Sequence, residues 1–251
     1  MTHQRNAIYF ASDFHLGAAG DSNHDREKKI VRWLDSISAD VSELYLVGDV
    51  FDFWFEYKHV VPKGFVRLLG KLAKLSDQGV KLHIFTGNHD VWMFDYFPKE
   101  LGAKVYREPI DVELFGKMYQ IGHGDGLGPG DNGFKAIKKL FTNKLAQKAF
   151  AFLHPWIGVS LARFFSRKSR ETTGDKDGIY LGDENEYLVQ HCNVYLKSKH
   201  IDCFIFGHRH MMLDMPIKPN SRYVNLGEWF TGCHYAKLVP GKDLEIIKFG
   251  A

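Results

Sequence analysis

The sequence predicts a single α/β domain built on a largely parallel β-sheet. Short apolar segments alternate with amphipathic segments over residues 7–90, which is the pattern of βαβ units. The length of 251 residues is sufficient for one large domain with a substantial core. The composition, 45% hydrophobic and 25% charged, is typical of a soluble globular protein and argues against disorder.

The N-terminal part contains three predicted strands and two predicted helices. The strands are apolar runs that end at polar residues, namely Ala7–Ala11, Glu43–Val47 and Val80–Thr86. The helices, Asp25–Ser38 and Gly64–Leu75, place their apolar residues on one face. Because parallel strands need a crossover connection, this order of elements favours βαβ units.

The C-terminal part contains shorter predicted strands and one more predicted helix. The strands are Val105–Tyr106, Ile110–Leu114, Met118–Ile121 and Cys203–Phe206, followed by strands between Tyr223 and Phe249 with turns at Gly232 and Pro240-Gly241. The helix is Asp183–His200. Residues Leu127–Gly182 differ in composition from the rest, and we predict a helical, cationic insertion there.

The predicted insertion is basic and rich in aromatic residues. Between Phe134 and Arg170 there are nine Lys or Arg residues and no Asp or Glu, although the net charge of the whole chain is only +3. Its apolar residues recur every three or four positions, at Phe134, Ile137, Phe141, Leu145 and Ala149. A basic amphipathic helix of this kind is typical of a segment that binds an anionic membrane surface. The alternative is that the apolar stripe packs on the body of the protein.

The cysteines and the apolar runs bear on the compartment. Cys192, Cys203 and Cys233 show no CxxC spacing, which argues against a disulfide framework or a thiolate zinc site. The first residues have no long apolar run of the signal-peptide type. Nor does any apolar run approach the roughly 20 residues that span a bilayer. We therefore expect a cytoplasmic protein.

Five predicted strand ends carry side chains that can bind a metal ion. In chain order these side chains are Asp13 and His15, Asp49, Asn88 and His89, His123, and finally His208 and His210. Because the carboxyl ends of strands in α/β sheets meet at the ligand crevice, we expect these side chains to lie together. The two carboxylate oxygens of Asp49 can bridge two cations. A mixed nitrogen and oxygen ligand set suits Mn, Fe or Zn better than Ca or Mg.

The motifs D-x-H, G-D, G-N-H-D, G-H-G-D and G-H-R-H, in this order, resemble those of the calcineurin-like metallophosphoesterase superfamily. The resemblance implies a two-sheet sandwich flanked by helices, and two bridged divalent metal ions that support hydrolysis of a phosphate ester or anhydride. It also implies that His89 lies beside the leaving group and is oriented by Asp90. The implied ligands are Asp13, His15, Asp49 and His210 for one metal, and Asp49, Asn88, His123 and His208 for the other.

Within that superfamily the chain is similar to the UDP-2,3-diacylglucosamine pyrophosphohydrolases of lipid A biosynthesis. The similarity rests on Gly48-Asp49-x-Phe51-Asp52-x-Trp54, on His123-Gly124-Asp125 with Asp131 following, and on the basic insertion. It implies that the insertion is a lid that holds the acyl chains and touches the inner membrane. The implied contacts with the rest of the substrate are Asp131, Ser169, Thr173, Lys176 and His89.

The chain departs from that subfamily at two of these positions. Its better-known members have Arg at the position of His89 and Asn at the position of Thr173. Since His89 is the usual residue in the wider superfamily, the departure bears on the substrate rather than on hydrolysis.

Two other functions remain open from the sequence. A general metallophosphodiesterase or nuclease of the same superfamily would use the basic segment to bind nucleic acid. No recognised nucleic-acid-binding motif is present, and we therefore expect no nucleic-acid partner. A non-catalytic scaffold of the same fold would be expected to have lost metal ligands, whereas all seven positions are filled.

Overall fold

The computed structural model describes residues 5–18, 23–129, 132–173, 178–217 and 219–250. The strands within these ranges are β1 (Ala7–Ala11), β2 (Val41–Val47), β3 (Lys81–Phe85), β4 (Lys104–Tyr106), β5 (Ile110–Leu114), β6 (Lys117–Ile121), β7 (Cys203–Phe206), β8 (Met212–Ile217), β9 (Ser221–Leu226), β10 (His234–Leu238) and β11 (Glu245–Lys248). The helices are α1 (Asn23–Ile37), α2 (Val66–Asp77), α3 (Tyr96–Leu101), α4 (Asn132–Thr142), α5 (Lys144–Ala151), α6 (Pro155–Thr173) and α7 (Tyr187–Tyr195).

The described strands form two mixed sheets. The first sheet has the order β11-β10-β1-β2-β3-β4, and the second has the order β5-β6-β7-β9-β8. Strands β1 to β4 pair in parallel, as do β6, β7 and β9, while the outer strands β5, β8, β10 and β11 are antiparallel. The parallel strands are contiguous within each sheet, and the residues that follow β1, β2, β3, β6 and β7 come together at one rim of the structure.

Three apolar clusters hold the layers together. Ile8, Phe10 and Tyr45 of the first sheet pack against Ile121 and Val224 of the second, so the two sheets meet face to face. The opposite face of the first sheet is covered by helices α1 to α3, and the opposite face of the second by α7. Burial of these apolar faces is the dominant stabilising term of such a sandwich.

The predicted α/β fold is confirmed, and the deviations have local causes. The helix predicted at Asp183–His200 spans only Tyr187–Tyr195, because residues on both sides form turns. Helix α3 and strand β8 were not predicted. Helix α3 is only six residues long, and β8 is an edge strand in which Pro216 breaks the strand signal.

Helices α4, α5 and α6 lie in the region of the predicted insertion and are tied to the body by polar contacts. Trp92 Nε1 donates a 2.7 Å hydrogen bond to the carbonyl of Phe141 in α4. Lys138 Nζ lies 2.8 Å from Asp125 Oδ2. Among the described residues, no helix is both long enough and apolar enough to cross a bilayer.

Candidate metal centre

The side chains predicted to bind metal lie together at the carboxyl ends of β1, β2, β3, β6 and β7. Two sets of three side chains place their donor atoms within 4.8 Å of one another, namely Asp13 with His15 and His210, and Asp49 with His123 and His208. The amide oxygen of Asn88 lies 3.3 Å from His123 Nε2, beside the second set. All seven predicted ligands are thus neighbours, and their role as ligands stays a prediction.

Asp49 lies between the two sets. Its Oδ2 atom is 3.7 Å from His15 Nε2 in the first set and 3.3 Å from His123 Nε2 in the second. Its Oδ1 atom accepts a 2.9 Å hydrogen bond from the backbone N–H of His89. Oδ1 is thus occupied by that hydrogen bond, and Oδ2 alone faces both sets, whereas the sequence predicts that both carboxylate oxygens bridge.

Four of these residues have a left-handed backbone conformation, with positive φ, that residues other than glycine seldom adopt. The φ angles of Asp13, His15, Asp49 and His208 are 56°, 43°, 50° and 68°. Such left-handed positions cost on the order of 1–3 kcal/mol each and concentrate at functional sites. Here cross-strand hydrogen bonds hold them, from Asp13 N to Gly48 O at 3.1 Å and from His15 N to Asp49 O at 2.9 Å.

Three glycines allow the strand-end loops to approach one another. A Cβ atom would lie 2.4 Å from His123 Nδ1 at Gly48, 2.1 Å from Asp49 Oδ1 at Gly87, and 2.5 Å from Asp13 Oδ2 at Gly207. All three distances are too short for a side chain to fit. Glycine is therefore required at these positions for the ligand side chains to converge.

The residues present fit divalent cations. Asp13 Oδ1 is buried and has no hydrogen-bond partner among the described residues, as expected for an oxygen reserved for a cation. His123 Nδ1 lies 2.9 Å from the carbonyl oxygen of Val47, a contact that directs Nε2 into the site. This mostly buried set of carboxylates and imidazoles is of the kind that binds divalent cations.

The electrostatics of the site mostly favour the protonation states that metal ligands need. Burial lowers the pKa of His15, and burial with the charge of His123 lowers the pKa of His208 to about 4. Burial opposes ionisation of Asp13 and Asp49, but the surrounding histidines outweigh it and hold both pKa values well below their usual range. His123 is the exception, because Asp49 overcomes the effect of burial and raises its pKa to about 10.

His89 lies beside the predicted ligands and faces Asp52. The rings of His89 and His15 are 4.9 Å apart between centroids. His89 Nδ1 is 3.2 Å from the carbonyl oxygen of Asp52 and 3.6 Å from its Oδ1 atom. Ser166 of α6 donates a 2.9 Å hydrogen bond to the other carboxylate oxygen of Asp52. Asp52 therefore connects His89 to a helix of the insertion.

The sequence predicts that Asp90 orients His89. In the structure the imidazole of His89 contacts Asp52 instead. The two carboxylate oxygens of Asp90 accept the backbone N–H groups of Gly87 and Phe51, at 2.7 and 3.2 Å. Burial and the charge of Asp49 raise the pKa of Asp90 to about 7. Asp90 thus shapes the loop that carries His89, whereas the imidazole itself faces Asp52.

The side chains of the predicted substrate contacts other than His89 lie outside the described part of the structure. Asp131 and Lys176 are not described, and Ser169 and Thr173 lie in α6 with side chains that are not described. Ser166, which the sequence analysis did not single out, is the described residue of α6 that reaches the site. The sequence carries no signal that distinguishes Ser166, because α6 also contains Ser160 and Ser169.

An apolar cavity of about 250 Å³ adjoins His89. Its walls come from the body and from the helices of the insertion, and they include Asn88, Trp92, Phe141, Phe150 and Phe165. The rings of Trp92 and Phe150 lie 4.6 Å apart between centroids. The candidate metal centre therefore opens directly onto a chamber lined with aromatic rings.

Comparisons with known proteins agree with this geometry. A family model described as calcineurin-like phosphoesterase matches residues 7–212. The chain is 40% identical over 245 residues to the UDP-2,3-diacylglucosamine hydrolase of Porphyromonas gingivalis. The aligned region covers 92% of this chain and 94% of that protein. It is 25% identical over 222 residues to the protein of the same name from Haemophilus ducreyi, with coverage of 88% and 91%.

A solved structure shows a similar fold. A dimetal phosphatase from Danio rerio matches with a TM-score of 0.50 over 97% of this chain and 95% of that chain. Its sequence identity is 11%, so the likeness concerns the fold alone.

We expect Gly87→Ala to disrupt the candidate metal centre, because the new Cβ would displace the Asp49 carboxylate. The variant should bind metal about 10–100-fold more weakly, the range found when the surroundings of metal ligands are disturbed. Metal content after dialysis measures the effect. Gly70→Ala is the matched control, since that glycine lies in α2 with no heavy atom near its would-be Cβ. Equal metal content in both variants would contradict the assignment.

We expect His89→Ala to slow turnover by about 10²–10⁴-fold, the usual loss when an acid–base partner is removed. Its metal content should stay close to that of the unaltered protein. Asp52→Asn should slow turnover in the same direction but less, because His89 is then present but poorly oriented. Steady-state kinetics on one substrate compare the three proteins, and an unchanged rate for His89→Ala would remove it from the mechanism.

Proposed function

The chain belongs to the calcineurin-like phosphoesterase family, and we propose that it hydrolyses the pyrophosphate of UDP-2,3-diacylglucosamine to UMP and 2,3-diacylglucosamine 1-phosphate. The observation that carries the proposal is the apolar cavity beside the candidate metal centre. A hydrolase of small phosphodiesters needs no such chamber, whereas a substrate with acyl chains next to its phosphates does. The relatives that bear this activity in their names span nearly the whole chain.

In the proposed reaction, water attacks the α-phosphorus and the bond from that phosphorus to the bridging oxygen breaks. Two divalent ions, which we propose to be Mn²⁺ with Fe or Zn as substitutes, would activate the water and neutralise phosphate charge. We assign Asp13, His15, Asp49 and His210 to one ion, and Asp49, Asn88, His123 and His208 to the other. We assign to His89 the role of donating a proton or hydrogen bond to the leaving oxygen, and to Asp52 the role of orienting it, which the contacts between these two residues support.

The apolar cavity is proposed to hold acyl chains. Phe141 of α4, Phe150 of α5 and Phe165 of α6 line it from the insertion, and Trp92 lines it from the body. Burial of hydrocarbon is favourable by roughly 0.8 kcal/mol per methylene, so even part of an acyl chain contributes substantially to binding. Since the cavity adjoins His89, an acyl chain bound there would place the sugar phosphate near the metal centre.

The outer surface of the insertion is proposed to bind the inner membrane. Its exposed apolar side chains include Leu145, Phe152, Trp156 and Phe164, which are 76%, 91%, 74% and 60% exposed. Lys144, Lys148 and Lys168 are exposed on the same helices. Aromatic residues combined with lysines suit the interface of an anionic bilayer. Peripheral attachment of this kind would give the enzyme access to a substrate that resides in the membrane.

Purified protein with Mn²⁺ and detergent-dispersed UDP-2,3-diacylglucosamine tests the proposed activity. We expect release of UMP, and much slower release from UDP-N-acetylglucosamine, which has no long acyl chains to fill the cavity. Liquid chromatography of the nucleotide products measures both rates. Failure to release UMP with Mn, Fe or Zn, from protein that hydrolyses a simple phosphodiester, would rule out the proposed substrate.

Two substitutions separate the acyl-chain cavity from the membrane surface. Phe150→Ala should raise KM for the detergent-dispersed lipid substrate about tenfold, a loss of roughly 1.4 kcal/mol, because it removes one aromatic wall of the cavity. Phe152→Ser, two residues along, should leave that KM unchanged and weaken sedimentation with phosphatidylglycerol vesicles. Circular dichroism confirms folding, and equal effects of both variants in both assays would contradict the division of roles.

A further inference from the structure

A buried ion pair connects the loop of His208 and His210 to the segment that follows the insertion. Arg209 lies between the two histidines and is 3% exposed, and its guanidinium donates a 2.9 Å hydrogen bond to Oε1 of Glu186. Glu186 is completely buried. The same guanidinium donates a 2.6 Å hydrogen bond to the carbonyl oxygen of Ile179.

The local geometry explains why Arg209 points away from the metal centre. The loop is tightly turned, with hydrogen bonds from Arg209 N to Gly207 O at 2.8 Å and from Met211 N to Arg209 O at 2.6 Å. The side chains of His208 and His210 join the two ligand sets, and the side chain between them extends to the opposite side. Arg209 therefore anchors the loop through its contacts with Glu186 and Ile179.

Glu186 is a fixed anchor for this side chain. Its Oε1 atom also accepts the backbone N–H of Leu181 at 3.0 Å, and it lies directly before α7. Its Oε2 atom has no hydrogen-bond partner among the described residues. A carboxylate buried in this way depends on its cation, since an unpaired buried charge is strongly destabilising. The pair therefore fixes the position of Arg209 relative to α7.

The start of α7 also contacts the second ligand set and the start of the insertion. The Tyr187 and His208 rings lie 6.3 Å apart between centroids. A Cβ on Gly124, next to His123, would lie 3.2 Å from Leu188, and one on Gly128 would lie 2.2 Å from Tyr187 O. The two ends of the insertion and the histidine loop thus meet at the start of α7.

We propose that Glu186 and Arg209 are positioning residues that hold the His208 and His210 loop in its metal-binding geometry and align it with the ends of the insertion. The inference rests on the proposed function, since it presumes that these histidines bind metal. A purely structural pair would affect the stability of the fold but not the affinity for metal.

Glu186→Ala tests the inference without altering the ligand loop. It should weaken Mn²⁺ binding by about tenfold or more, which is the loss expected when a residue that supports a metal ligand is removed. Titration calorimetry on metal-free protein measures the Mn²⁺ affinity. The substitution should also lower kcat on bis(p-nitrophenyl) phosphate, a small substrate that does not need the apolar cavity. Glu186→Gln keeps an acceptor at Oε1 but removes the charge that balances Arg209, so it should restore only part of the Mn²⁺ affinity.

Asp214→Ala is the control for loss of an arginine–carboxylate pair that includes no predicted metal ligand, because Asp214 of β8 accepts two hydrogen bonds, both 2.7 Å, from Arg222 of β9. It should leave Mn²⁺ affinity unchanged whatever its effect on Tm. The inference fails if Glu186→Ala binds Mn²⁺ as the unaltered protein does, or if Asp214→Ala weakens binding equally. Absence of Mn²⁺ binding and hydrolysis in the unaltered protein would instead defeat the proposed function.

Discussion

Close packing of the strand-end loops around Asp49 is the constraint on which the rest of the structure depends. The loops after β1, β2, β3, β6 and β7 approach so closely that a Cβ at Gly48, Gly87 or Gly207 would overlap a ligand side chain. Left-handed backbone at Asp13, His15, Asp49 and His208 is the conformational cost of that approach. The surrounding sheets offset the cost, because burial of their apolar faces supplies a far larger free energy.

The insertion is held to this centre by several contacts of different kinds. Lys138 pairs with Asp125, two residues after His123, and Trp92 donates to the carbonyl of Phe141. Ser166 donates to Asp52, which faces His89. Each of these contacts joins a helix of the insertion to a residue near a strand end. These contacts join helices α4 and α6 to the candidate metal centre, so displacement of the helices would disturb the environment of Asp52 and His89.

The sequence predicted the strands and the ligand cluster well because both follow local rules. A buried parallel strand is an apolar run, and its carboxyl end must lie at the crevice, so Asp13, Asp49 and His123 could be brought together without coordinates. Contacts between distant segments follow no such rule. Asp52 rather than Asp90 faces His89, and Ser166 reaches Asp52 from 114 residues away. Only the packing of α6 on the body determines these partners.

The partner of Arg209 is likewise a residue distant in the sequence, and the motif that contains Arg209 does not identify it. An extended Gly207-His208-Arg209-His210 segment would put the two histidines on one side and Arg209 on the other, but the loop is turned and His208 has a φ of 68°, so the motif alone does not say what Arg209 contacts. The structure places Glu186 against Arg209, in an environment where neither charge is solvated. A lone arginine or a lone glutamate at that depth would be strongly unfavourable, so each requires the other. The histidine loop and the segment after the insertion are therefore held in fixed relative positions by this pair, which is why we propose that the geometry of the candidate metal centre depends on contacts with that segment.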